Sequence, residues 1–579
     1  MDLNKWKEEV KKFKAKIKEN PSDIKAYISL AEAYKKLDNY PSVIKTCEQA
    51  LKNNPDDEKI YLYSGLTYCD LECYEEAIEI LRQAIEINPK FAKAYASLGE
   101  IYNKLKHFED AINVLTKAIS LNPVSAKAYY QLGITYNELE QYEDAIKVLD
   151  KAISLNLESV GAYIQLGIAY NELKQYEYAI NVLNKVISLE PKSAYAYLQL
   201  GYANFCLQKH SEAIKAYKQG IEIEPEFVEA YFLLGLTYEF TKQYAESVKA
   251  YKQAIEVDPK FVESYANLGE IYNNLEQYTK AIEVLKQAIE IDPEYLESYY
   301  QLGISYNNTE QYADAIKVLN EVISLDPKSA GAYIQLGIAY NELKQYADAK
   351  KVLNKVIILD PKSAGAYYQL GVAYNGLKQH KEATEVLKQS IKIDPEFVEP
   401  YIYLGAAYTV LKQYEEVIKV SNKAISLNPK LTIAYFFLGN SNFFLQKYSE
   451  AIKAYKKAIE IDSEFEGAYL GLGETYIDLK QYDGAIKKLD KAISLDPKCD
   501  EAYYNLGRAY NELEQYEDAN EMLNKAVELN PKYVDAYLLL GKVYLKEGKV
   551  ASAQKQYKIL KKLDKKLADE LLKIIENGD

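Results

Sequence analysis

Residues that build catalytic and metal centres are scarce in this chain of 579 residues, which has three histidines, five cysteines, one tryptophan and two methionines. His107, His210 and His380 lie far apart, and no His/Cys set has the spacing of a metal motif, so no metal site is expected. The cysteines (Cys47, Cys69, Cys73, Cys206 and Cys499) are odd in number and match no CxxC pattern. They read as reduced thiols rather than a disulfide framework. Glycines never cluster ahead of a helix, so there is no phosphate-binding loop and no nucleotide cofactor is expected. No apolar run reaches the roughly 18 residues that a membrane-spanning helix needs. The first residues are rich in Lys instead of forming an apolar leader, so a cytoplasmic protein is the expectation. The net charge of −14, with no basic stripe, argues against nucleic acid as a partner.

What is there is periodic. Fourteen of the sixteen prolines fall in a single register of 34 residues, from Pro21 to Pro531; Leu157 and Ser463 fill its two gaps. Sixteen blocks counted from three residues after each of these sites begin at 24, 58, 92 and so on every 34 residues to 534, without insertion or deletion. Position 4 is Tyr in all sixteen, and position 7 is Leu and position 8 Gly in fifteen each. Position 11 is Tyr in fourteen and position 20 is Ala in thirteen. Positions 4, 7, 8 and 11 share one helix face. A second helical stripe follows, as in Tyr142, Ala145, Ile146, Leu149, Ala152 and Ile153. Each block is therefore predicted to be helix A, a short turn and helix B, with the proline ending helix B. Glycine inside a helix costs about 1 kcal/mol relative to alanine. Its recurrence predicts a close approach of the two helices, with Gly at 8 facing Ala at 20.

One such hairpin cannot bury both its apolar faces, so neighbours must stack. Residues 1–23 are predicted to form an N-terminal capping helix, with Trp6, Val10, Phe13 and Ile17 at helical spacing. Residues 24–567 make the array, and 568–579 the end of a C-terminal capping helix that carries Leu567, Leu571, Leu572 and Ile575.

These columns resemble the tetratricopeptide repeat (TPR) family, with Tyr where that family usually has Trp at position 4. The resemblance implies an all-α, right-handed superhelical solenoid of sixteen helix-turn-helix repeats, A helices lining a concave groove and B helices outside. It also implies a non-enzymatic scaffold or adaptor that binds extended segments of other proteins in that groove. Two alternatives stand beside it: a regulatory or substrate-targeting subunit of an enzyme on another chain, and a self-assembling rod. His210 and His380 occupy position 17, where most blocks have Tyr or Phe, so they read as aromatic substitutes rather than catalytic bases.

The residues the fold does not require are those of helix A opposite the 4-7-8-11 face. Position 6 is an amide at Gln131, Gln165, Gln199, Asn267, Gln301, Gln335, Gln369 and Asn505. Position 12 is asparagine at Asn103, Asn137, Asn171, Asn273, Asn307, Asn341, Asn375 and Asn511. Amides donate and accept together, which suits pairing with a peptide backbone, although they could equally bond to the neighbouring repeat. The repeat arm of O-linked N-acetylglucosamine transferases is similar at position 6, but the catalytic domain of those enzymes has no counterpart here. The Lys/Asn/Arg carboxylate clamp of chaperone-binding TPR modules is missing, so that class of partner is not expected. Two blocks replace Tyr-Asn at 11–12 with Asn-Phe, at Asn204-Phe205 and Asn442-Phe443. With Phe232, Phe240, Phe436, Phe437 and Phe444 nearby, these are candidate apolar anchors for a partner.

Overall fold

The structure, a computed structural model, describes residues 3–577, and all its regular elements among them are α-helices, thirty-four of them with no strand. A lone helix α1 (Leu3–Glu19) precedes the first block, whose helices are α2 (Ile24–Lys35) and α3 (Tyr40–Asn53). The pattern then repeats with 13 residues in helix A and 14 in helix B, as in Ala330–Glu342 and Tyr346–Leu359, except that the helix A Glu399–Val410 has 12. The last helix is Lys565–Asn577.

The turn between A and B is built on a left-handed residue at position 15. Lys344 has φ 58°. Its N–H donates to Asn341 O at 2.9 Å, and the Gln345 N–H reaches back to Tyr340 O at 2.8 Å. This doubly bonded helix end recurs along the chain and satisfies carbonyls that the helix leaves open. In fifteen blocks the residue there is Asp, Glu, Lys or Gln, at roughly 1 kcal/mol of backbone strain each. Only block sixteen has glycine, Gly548.

Helix B stops at the same place whether or not proline follows. It ends at Leu155 before Leu157 and at Ile461 before Ser463. Position 31 is Asn or Asp in fourteen of the sixteen blocks, and the two exceptions, Glu190 and Glu224, are followed by proline. Asn156 Oδ1 accepts from the Glu158 N–H at 3.2 Å, Asp462 Oδ1 from Glu464 at 2.9 Å, and Asp360 Oδ1 from Lys362 at 3.0 Å. This turn competes with continued helix, and proline reinforces it.

The close approach at position 8 is present, but its main occupant is not the one expected. A Cβ on Gly337 would stand 2.6 Å from Leu353 Cδ2, on Gly99 2.4 Å from Leu115 Cγ, and on Gly235 2.7 Å from Tyr251 Cε1. Glycine at 8 therefore makes room for the large side chain at position 24 of helix B. Position 20 meets the backbone beside it, as Ser247 Oγ shows by donating to Gly235 O at 2.8 Å. The small residue at 20 admits the backbone of helix A, and the missing Cβ at 8 admits Leu or Tyr from helix B.

The chain divides into two compact units, one running to Leu275 with Glu290–Asp292, the other Glu276–Ile289 with Pro293 onward. Within each unit a helix B packs on its own helix A and on the helix A that follows it, and consecutive A helices also touch. Consecutive B helices do not form such pairs among the described residues, so the A helices are the closer-packed row. α1 packs on the first block with Ile17 buried among Tyr27, Leu30 and Tyr34. At the other end Ala568 and Leu571 are buried with Tyr537 and Leu560.

Candidate ligand-binding face of the A helices

The recurring amides are tied to one another across repeats. Asn137 Nδ2 donates to Gln165 O and Oε1, both at 2.9 Å. Asn171 does the same to Gln199 at 3.2 and 3.0 Å, Asn307 to Gln335 and Asn341 to Gln369 at 2.9 and 3.0 Å, and Asn103 to Gln131 at 2.9 and 3.1 Å. Position 12 of one helix A thus staples position 6 of the next. Asn375 meets Tyr403 at position 6 and keeps only the main-chain bond, at 3.1 Å. Other amides make further bonds. Asn267 donates to Tyr251 Oη at 3.3 Å, Gln301 Nε2 to Glu297 at 2.9 Å, and Asn511 to Glu512 at 3.2 Å. Asn505 donates to Glu501 O at 3.1 Å, and Asn273 is buried.

The staple uses the asparagine donor and the glutamine acceptor, which leaves the Nε2 donors of Gln165, Gln335 and Gln369, all half-buried, outside it. It also leaves asparagine carbonyls behind. Oδ1 of Asn137, Asn171, Asn307 and Asn341 is buried with no hydrogen-bond partner, whereas Asn103 Oδ1 accepts from Thr135 Oγ1 at 2.7 Å. Thr135 stands at position 10 of the following block, where the other four asparagines meet Ala169, Ala203, Ala339 and Ala373. Replacing Ala339 with Thr is therefore expected to stabilise that junction by about 1 kcal/mol. Thr135 already fits fully buried at the matching site. Amide hydrogen exchange across Asn307–Ala339 checks this, and faster exchange in the variant would show that added volume outweighs the new bond.

The seven phenylalanines fall into two sets. At position 5, Phe232 packs edge-on against Phe261 at 5.3 Å and Phe436 against Phe465 at 5.2 Å, each partner standing just ahead of the next helix A. Phe437 lies over Gly405, 3.4 Å from where its Cβ would be. The second set sits at the A–B turns. Phe205, His210 and Phe240 form a triangle of rings at 5.1 to 5.7 Å. Phe443 meets Phe444 at 5.6 Å and Tyr448 at 5.9 Å, and Phe444 stacks on Tyr414 at 4.9 Å. Phe240 and Phe444 remain 65% and 56% exposed. The asparagines that accompany Phe205 and Phe443 are satisfied locally: Asn204 donates to Leu200 O at 2.8 Å and Asn442 to Leu438 O at 2.9 Å.

Several charged side chains on this face pair across repeats. Lys127 bridges to Glu100 at 2.7 Å, and Arg508 lies 3.3 Å from Asp478 and 3.9 Å from Glu474. Burial pushes the Glu474 carboxyl above the usual range against the pull of Arg508. Burial does the same to Glu239, which accepts from the Tyr251 hydroxyl at 2.9 Å. His380 Nδ1 lies 3.1 Å from Asn375 Oδ1, so it and His210 are both occupied in packing. Among the described residues no group of three His, Cys, Asp or Glu side chains could hold a metal ion. Among the described residues no helix is long and apolar enough to cross a membrane.

This arrangement matches known repeat families. The model for the cilia and flagella-associated protein 70 C-terminal domain matches residues 227–430 and 431–576, and that for the tetratricopeptide repeat protein 21 C-terminal ARM domain matches 91–195. General TPR repeat models match 24–57, 65–106 and 205–239. The curated proteins give no match. Among solved structures, the APC/C hetero-tetramer Cut9-Hcn1 is 17% identical, covering 84% of this chain and 96% of that one with a TM-score of 0.39. MamA is 33% identical over 28% of this chain and 95% of its own, with a TM-score of 0.27. YrrB, described as a TPR protein with an unusual peptide-binding site, is 24% identical over 32% and 95%, with a TM-score of 0.28. The chain belongs to the tetratricopeptide-repeat family, and over more than half of its length to the family of the cilia and flagella-associated protein 70 C-terminal domain.

Proposed function

We propose that the chain is a non-catalytic scaffold that holds extended segments of partner proteins along the A-helix row. The observation that carries this reading is the set of glutamines at position 6, whose Oε1 is pinned by the preceding repeat while Nε2 is left as a donor. A donor whose side chain is already ordered loses little entropy when it meets a peptide carbonyl. The exposed rings of Phe240 and Phe444, at A–B turns elsewhere along the chain, supply apolar contacts. Replacing Gln165, Gln335 and Gln369 together with Ala is expected to weaken binding of an extended peptide by about tenfold, since each lost hydrogen bond is worth roughly 0.5–1.5 kcal/mol. Helicity should hold, because the asparagine bond to the main-chain carbonyl survives the substitution. Fluorescence polarisation against a peptide panel, with circular dichroism alongside, makes the comparison. Unchanged affinities across every bound peptide would remove the glutamines from the binding face.

A further inference from the structure

A cleft of about 620 Å³ opens between α1 and α3, on the face of α2 that carries positions 4, 7 and 11. Its floor is Tyr27, Leu30 and Tyr34, the positions 4, 7 and 11 that face inward in every block. Its rim carries Lys14 and Lys18 from α1 and Lys45 from α3, with Ser42, Thr46 and Gln49, and no acidic residue lines it. In a chain with net charge −14 that is a local reversal.

The reason lies at position 19. Eleven of the other fifteen blocks have Asp or Glu there, on the first turn of helix B. Three of these carboxylates pair with a lysine three residues on, Asp144–Lys147 at 2.8 Å, Glu246–Lys249 at 3.5 Å and Glu416–Lys419 at 2.7 Å. In the first block the corresponding pair is Ser42 and Lys45, so the lysine stays and its carboxylate is gone. The preceding helix adds Lys14, whose ammonium stands 5.4 Å from the centre of the Tyr34 ring, and Lys18.

We infer that this cleft is a docking site for an acidic peptide segment of a partner protein, its carboxylates set against Lys14, Lys18 and Lys45 and its apolar side chains against Pro21 and the lysine stems. The volume falls within the range of built ligand sites. A peptide carrying several carboxylates meets the lysines of both helices at once, which a single bare anion does not. The site is independent of the glutamine row, so either can fail without the other.

The test uses the full chain and a fluorescein-labelled peptide alternating Glu and Leu. Binding is expected, weakening as salt rises. Lys14→Glu, Lys18→Glu and Lys45→Glu together should weaken it by at least about tenfold, because like charges now face each other. The three lysines are exposed, so the fold is retained, which circular dichroism checks. Lys192→Glu, an exposed lysine far along the chain, should bind as the unaltered protein does. Equal losses in both variants would reduce the effect to net charge and overturn the assignment. Displacement of the peptide by millimolar inorganic phosphate would overturn it in favour of a small-anion site. A dimer that the triple reversal abolishes, with no peptide binding, would overturn it in favour of a second copy as occupant.

Discussion

Replacing Leu353 with alanine is expected to cost about 2–5 kcal/mol of local stability, the largest effect of any single change considered. Leu353 is fully buried among Ala349, Leu370, Ala373 and the rings of Tyr340 and Tyr346, and it fills the notch at Gly337. Truncation removes its contacts with two blocks at once and leaves a void that a glycine backbone on the facing helix cannot close. A long repeat array need not unfold in one step, so a single melting temperature is a poor measure. Native-state hydrogen exchange of the amides in Ala330–Leu359 reads the effect directly. A loss under about 1 kcal/mol would mean that the helices collapse onto each other and that the notch is not held open by its neighbours.

Gly337→Leu is expected to cost about 1–3 kcal/mol through overpacking. Two terms oppose each other here. Removing glycine from a helix interior gains about 1 kcal/mol. Against it, the new Cβ alone would stand 2.6, 2.7 and 3.1 Å from three atoms of Leu353. The remaining atoms of a leucine have no open space, because Leu353 is itself completely enclosed. Steric cost therefore wins. Combining Gly337→Leu with Leu353→Ala moves a leucine from one helix to the other across the same gap. The double variant should cost clearly less than the two single costs added together, and strict additivity would show that the two sites do not share the space.

Helix positions and block boundaries were legible in the sequence because they rest on local periodicity, and the glycine column announced a close approach. Its partner was misjudged. Alanine at 20 looked like the natural complement of a small residue, whereas the space was reserved for the large residue at 24. The αL residue at position 15 left no trace, since fifteen blocks place a long polar side chain where glycine would be the signal. The amide staple did leave one. All six glutamines at position 6 follow a block with asparagine at position 12. Read column by column, both sets suited a ligand and a bond to the neighbouring repeat equally, and their co-occurrence 28 residues apart is what points to the bond.

The sequence by itself determined that the chain is an array of two-helix repeats in the tetratricopeptide-repeat family, because helix periodicity and repeat register are encoded along the chain. The tertiary structure decided which side chain fills each glycine notch, which amide bonds to the next repeat and which is left as a donor, and where three lysines gather without a carboxylate. Those outcomes depend on which residues meet across the spaces between helices, and a one-dimensional pattern does not specify those distances.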